Sequence, residues 1–361
     1  MYSIIPAKHG DHSHEIFISD NAFDNFQNYL KNLNKNNTVF VIDKIFLKKS
    51  FLKNFINFNQ DNIFFINGGI KSKNLVTAKK IIDFLNFKNF TRDSHIIAIG
   101  GGVVCDIVSF VASIYQRGIN LILLPTTTTS MMDSCIGGKT GINYNNIVNL
   151  IGTYYQPKSI YVDLRFIETL SEIDYKSGIA ESIKKGIILD KYLFKFLDQN
   201  YHNINLRRMD EIFNMINLSI DAKLRVTSSD TFEKSSRLLL NYGHTFGQSI
   251  ESNFGIDQKK LTHGYAVALG MICASVMSEN LFNNHINKIH RDILHKFGLP
   301  TKAPIISDKK IFLKKLIYNL KNDKKRIVNG TQFILAKEIG LGTIQLVGDK
   351  KLIKKSFRSI F

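Results

Sequence analysis

Up to about residue 150, short apolar runs alternate with longer segments of mixed polarity. TVFVID (38–43), NIFFIN (62–67), HIIAIG (95–100) and NLILLPTT (120–127) are rich in β-branched and aromatic residues. Asn, Asp, Gly or Pro bounds each of them, which predicts strands. Between them, LVTAKKIIDFLNF (75–87) and VVCDIVSFVASIYQ (103–116) carry apolar residues at helical spacing. Strand and helix in alternation predict a mostly parallel, Rossmann-like sheet covered by helices. After about residue 155 the periodicity changes. Helical spacing runs through 174–198, 207–227, 236–252, 264–281 and 285–297, and strands return only at TQFILA (331–336) and GTIQLV (342–347). The pattern therefore predicts an α/β amino-terminal domain over 1–155 and a mainly α-helical carboxy-terminal domain over 156–361. Gly152 to Pro157 is the expected junction.

The length of 361 residues agrees with two domains. A hydrophobic share of 44% with 22% charged residues supplies a sizeable core, which excludes a disordered chain or a small disulfide scaffold. No apolar run reaches the roughly 18 residues of a membrane span, so no membrane partner is expected. The opening MYSIIPAKHG lacks the basic-then-apolar pattern of a signal peptide. The net charge of +18 invites a nucleic-acid reading. However, Lys and Asn are over-used along the whole chain, and no basic run is interleaved with aromatics, so no nucleic-acid partner is expected. Cys105, Cys135 and Cys273 are scattered and form no CxxC pair, which argues for a reducing, cytoplasmic setting.

The candidate chemistry begins at HIIAIGGGVVCDIV. A buried strand, three glycines (Gly100, Gly101, Gly102) and a helix let backbone approach a diphosphate at a helix amino terminus. The motif is not GxGxxG. Asp106 either caps this helix or bonds a ligand. Thr126 and Thr127 follow the next strand at the sheet edge where α/β folds bind ligands, or else cap the segment that follows. MDSCIGGKTGIN places Asp133 and Lys139 around a glycine pair, as a polar phosphorylated substrate would need. Glu181 and Lys184 share a helix face at spacing three. Asn241, His244 and Gln248 line one side of another helix, and His263 opens a third. One carboxylate and two imidazoles would make a three-ligand catalytic zinc site with an open position; a lone His on an apolar helix face is more often a core residue. Lys223 and Arg237 flank Glu233, and the DKK of Asp323, Lys324 and Lys325 comes near the end. Brought together, such cations trap anions.

GGGVVCD, YQRG (115–118), LPTT, DSCIGGKTGIN, NLIGTYYQP, GIAESIKKGIILD, LLLNYGHTFG and LTHGYAVALGM resemble, in order and spacing, the 3-dehydroquinate synthases of the sugar-phosphate cyclase family. The resemblance spans nearly the whole chain. It implies an NAD-binding α/β domain, a helical metal domain and a homodimer. It also implies conversion of 3-deoxy-D-arabino-heptulosonate 7-phosphate to 3-dehydroquinate. By that resemblance Glu181, His244 and His263 hold Zn2+ or Co2+. Gly101, Gly102, Val103, Asp106, Thr126, Thr127, Phe166 and Thr169 contact NAD, and Lys139 serves cofactor and substrate. Asp133, Asn149, Lys184, Lys223, Arg237, Asn241 and a DKK lysine, Lys324, bind substrate. Lys139, Lys184, Lys223 and Glu233 carry catalytic roles, and Arg117 reaches the phosphate on a neighbouring subunit.

Three positions depart from the family pattern: Gln248 replaces a His thought to relay a proton, Val148 a lysine, and Gly69 an acidic residue. A Gln cannot titrate near neutral pH. The alternatives to the synthase reading are another sugar-phosphate cyclase, a low-activity homologue, a metal-dependent polyol dehydrogenase of related fold, or a non-catalytic basic binding protein.

Overall fold

A seven-stranded sheet organises the first of two units, Met1–Leu170, into which, with Ser171–Phe361, the chain divides. The computed structural model describes residues 1–47, 60–145, 147–254, 261–304, 306, 308–321, 326–327 and 330–361. Lys324 lies outside them.

Unit 1 contains β1 (Tyr2–His9), β2 (His12–Ser19), α1 (Ala22–Leu30), β3 (Thr38–Asp43), β4 (Ile63–Ile66) and α2 (Leu75–Phe87). It continues with β5 (His95–Gly100), α3 (Gly102–Ile114), β6 (Asn120–Pro125), β7 (Ile142–Tyr144), β8 (Ile147–Ile151) and β9 (Ser159–Asp163). The sheet order is β1-β2-β9-β6-β5-β3-β4. Every neighbouring pair is parallel except the β1–β2 hairpin, which turns through Gly10 at φ 61°. The near-continuous apolar runs of β3 and β5 are buried over almost their full length, as parallel strands covered on both faces must be. β9 is buried throughout and pairs with β2 and β6. This pairing carries unit 1 past the expected junction at 155/156, and the division falls between Leu170 and Ser171.

Unit 2 holds α4 (Glu172–Ile188), α5 (Lys191–Asn205), α6 (Met209–Ser229), α7 (His244–Phe254), α8 (His263–Phe282), α9 (Ile286–Lys296) and α10 (Lys309–Lys321). Three antiparallel strands follow, β10 (Arg326–Ile327), β11 (Gly330–Glu338) and β12 (Leu341–Val347), then α11 (Lys350–Arg358). The helical periodicity over 174–198 is two helices, because the Asp190 carboxylate caps α5 by accepting the Leu193 N–H at 2.9 Å. That over 236–252 breaks likewise. Residues Ser236–Asn241 form a 3-10 segment, and Gly243, at φ 73°, turns the chain into α7. α8 is long and apolar enough to cross a membrane by length and composition, unlike the reading of the sequence alone. Its apolar window is 67% buried within the unit, against α4, α7 and α9, as a core helix is.

Candidate active site

Three helix positions bring one carboxylate and two imidazoles together in unit 2. Ser171 caps α4, and the segment from Ile179 to Ile188 is buried, which fixes Glu181 at 1% exposure. His244 is the first residue of α7. A Cβ on the preceding Gly243 would meet the Val267 carbonyl oxygen at 3.0 Å, so glycine there allows α7 to start against α8. His263 is the first residue of α8, whose Gly264 N–H donates to Ser177 Oγ on α4 at 3.0 Å. Glu181 Oε1 consequently lies 3.7 Å from His244 Nε2 and 3.5 Å from His263 Nε2. Ligands about 2.1 Å from a tetrahedral ion stand about 3.4 Å from one another, so the spacing fits a small divalent cation. Among the described residues this is the only His, Cys, Asp and Glu group with three ligand atoms mutually within 4.8 Å.

The two rings are held for that task. His244 Nδ1 donates to the Tyr242 carbonyl at 3.0 Å, and His263 Nδ1 donates to Glu251 Oε2 at 3.1 Å. An Nδ1–H engaged in this way leaves the lone pair on Nε2, the arrangement seen in metal-binding histidines. Burial disfavours charge on His263, but the Glu251 and Glu181 carboxylates outweigh it and push its pKa up to about 10. Lys184 pairs with Glu181 one turn along α4, both nearly fully buried.

Of the expected anion-binding residues of unit 2, Lys223 lies on α6 and Arg237 and Asn241 lie in the segment after it. Lys223 on α6 and Arg237 are buried. Asp230 accepts the backbone N–H groups of Lys234, Ser235 and Arg237. Burial would raise its pKa, but these donors bring it down to about 2. Asp230 thereby shapes the loop in which Glu233 takes φ 58° and accepts the Asn241 amide at 2.8 Å. Arg237 donates to the Thr231 carbonyl at 2.6 Å. Gln248 is exposed on α7, one turn past His244.

In unit 1, Gly101 is the N-cap of α3 and supplies no side-chain acceptor to the N–H groups of the first turn. A Cβ on Gly102 would meet Ser134 Oγ at 2.8 Å. Asp106 does not cap α3. It pairs with the buried Lys73, which also donates to Asn149 Oδ1 at 2.6 Å. Asn149, at φ 51°, in turn donates its N–H to Asn143 Oδ1. Asp106 and Lys139 line one small cavity with Ser134 and Gly138. Val103 is half-buried and Thr126 is buried at the end of β6. Thr127 caps the helical turn that holds the half-buried Asp133, its Oγ1 accepting the Ser130 N–H at 3.2 Å. Phe166 packs against Phe46 with ring centroids 5.6 Å apart, and the Thr169 hydroxyl donates to the Phe166 carbonyl. Arg117 is exposed, at φ 62°.

The 3-dehydroquinate synthase N-terminal model matches residues 63–177, and the C-terminal model matches 178–326. The chain belongs to the 3-dehydroquinate synthase family. A 3-dehydroquinate synthase of Clostridium tetani is 35% identical over 358 residues, covering 96% of this chain and 92% of its own length. One of Saccharolobus solfataricus is 40% identical over 286 residues, covering 78% of this chain and 80% of its own. A solved 2-deoxy-scyllo-inosose synthase, complexed with carbaglucose-6-phosphate, NAD+ and Co2+, superposes with TM-score 0.85 at 26% identity, covering 99% of this chain and 100% of its own.

One residue beside the candidate site, Glu251, escaped the reading of the sequence. Glu251 lies seven residues after His244, on the same helical face, and that spacing was the available signal. Lys73, in NGGIKSKN, pairs with Asp106. Of the three departures, Val148 is 54% exposed on β8, and Gly69 takes φ 83°, a backbone region that favours glycine.

Proposed function

We propose that this chain is a 3-dehydroquinate synthase. It converts 3-deoxy-D-arabino-heptulosonate 7-phosphate to 3-dehydroquinate and phosphate by transient oxidation at C5, phosphate loss, re-reduction and intramolecular aldol closure. The observation that carries the reading is the meeting of Glu181 with His244 and His263, in a chain whose family membership is established. When bound, NAD supplies a hydride acceptor restored within each cycle, and Zn2+ or Co2+ supplies Lewis-acid polarisation of the substrate hydroxyls.

The chain's own residues bind and orient. Glu181, His244 and His263 hold the metal. Gly101, Gly102 and Val103 present backbone to the diphosphate at the start of α3. Asp106, Thr126, Thr127, Phe166, Thr169 and Lys139 complete the NAD site, with Lys73 holding Asp106 in place. Lys184, Lys223 and Arg237 orient the substrate carboxylate and hydroxyls and stabilise developing oxyanions. Asp133, Asn149, Asn241 and Lys324 add substrate contacts, and Glu233, fixed by Asn241, takes part in proton movement. Holding one conformer through several easy steps is the main catalytic task.

The assembly is a homodimer in which Arg117 reaches the phosphate bound by the partner subunit. The setting is the cytoplasm, in keeping with three free, buried cysteines. A phosphate-release assay with the heptulosonate phosphate, with and without a chelator, tests the reading. Chelator-sensitive release together with 3-dehydroquinate is the expected result. No release at saturating NAD and zinc overturns it, and release from a carboxylate-free sugar phosphate instead marks another cyclase.

A further inference from the structure

The hairpin of β1 and β2 carries a second group of metal-ligating side chains that the reaction above does not use. Its sequence is HGDHSH, and the cross-strand register pairs His9 with His12 and Ala7 with His14. Side chains alternate along a strand, so His9, His12 and His14 share one face of the hairpin. His14 lies between the other two rings, its centroid 5.8 Å from His9 and 5.6 Å from His12. An imidazole bound to zinc places its centroid about 3.1 Å from the ion, so two such ligands stand about 5–6 Å apart. The observed separations match.

His14 supplies a second, independent sign. It is 5% exposed, and both of its ring nitrogens are buried with no hydrogen-bond partner. Buried polar atoms of that kind are rare and call for an explanation such as an ion or a water. Burial, and then the neighbouring His9 and His12, lower its pKa. A neutral imidazole is the ligating form. His12 donates Nε2–H to the Pro157 carbonyl at 2.9 Å, which leaves its Nδ1 with a lone pair.

We propose that His9, His12 and His14 form a second metal site, which takes one borderline divalent transition ion of the zinc, nickel or copper class per chain. It lies wholly in unit 1, and it stands apart from the synthase reading. The three ligand atoms do not converge as closely as those around Glu181. The rings of His9 and His14 are nearly parallel, 11° apart, so closing the site takes side-chain rotation among staggered wells. The hairpin site therefore binds more weakly than the Glu181 centre.

The test counts metal and does not read turnover. The full chain is stripped with a chelator, dialysed against Zn2+ alone and analysed by elemental mass spectrometry. The wild type should hold two equivalents, with the hairpin ion the first lost as free Zn2+ is lowered. His14→Leu and His12→Asn should each hold one, whereas His244→Ala should keep the hairpin equivalent. Since His14 is a core position, circular dichroism checks its fold, and His12→Asn, at a partly exposed site, gives the answer if His14→Leu is unstable. A wild type that holds a single equivalent, or a His12→Asn that retains two, overturns the proposal.

Discussion

Glu251 Oε2 lies 3.1 Å from His263 Nδ1, so a carboxylate on α7 orients the first imidazole of α8. The same contact fixes which nitrogen faces Glu181 and raises ligand basicity. Glu251→Ala should therefore weaken metal binding about 10–100-fold while leaving the fold intact. Competition with a chromophoric chelator measures the affinity. An unchanged value would mean that the helix start alone sets the ring.

His244 offers one of the three candidate ligand atoms around Glu181. His244→Ala should abolish metal binding at this centre together with turnover. Zinc measured on the purified variant, at free metal low enough to fill only the tighter site, checks this. Undiminished zinc there would remove His244 from the ligand set.

Lys73 is buried against Asp106, and truncating one partner leaves the other charge poorly compensated. Lys73→Met should destabilise unit 1 by about 3 kcal/mol and raise the KM for NAD. Asp106 keeps 18% exposure, which holds the loss at the lower end for such pairs. Urea denaturation of Lys73→Met beside Lys73→Met/Asp106→Leu separates the effects. The double variant should regain part of the stability and none of the NAD affinity.

His290 is fully buried in unit 2, bonded to the Tyr242 hydroxyl at 2.7 Å, and burial lowers its pKa to about 4. In the unfolded chain it titrates near 6.5. Between those values the unfolded state binds a proton that the native state does not, so stability falls as pH drops from 6.5 towards 4. The loss is on the order of 3 kcal/mol. Thermal melts of metal-free protein across that window should show the decline, and His290→Gln should reduce its slope, leaving the share of the buried His14, whose pKa is likewise lowered. An equal slope in the variant would assign the acid sensitivity to other groups.

The sequence and the structure agree most closely where periodicity is strong. The apolar runs of β3, β4, β5 and β6 and the helices α2 and α3 are read directly, because a covered parallel sheet needs continuous apolar strands. β1 and β2 are not, since His, Lys and Glu alternate with apolar residues and the hairpin has one sheet neighbour only, β9. β9 escapes for a different reason: five residues beside Pro157 give too short a run to separate from a loop. In the site, Glu181, His244 and His263 are legible through the motifs around them. The supports Glu251 and Tyr242 are not, because their roles exist only as contacts across 12 and 2 residues. Asp106 shows the same limit: its pairing with Lys73, 33 residues away, cannot be read from the helix motif around it.

The central claim is a redox cycle that consumes no cofactor. It is tested by supplying NAD at a small fraction of the heptulosonate phosphate and following phosphate and NADH together. The account predicts many phosphates released per NAD, with no net NADH, and a halt on chelation that Zn2+ or Co2+ reverses. One NADH accumulating for each phosphate, or phosphate release that stops when the NAD is spent, would contradict it.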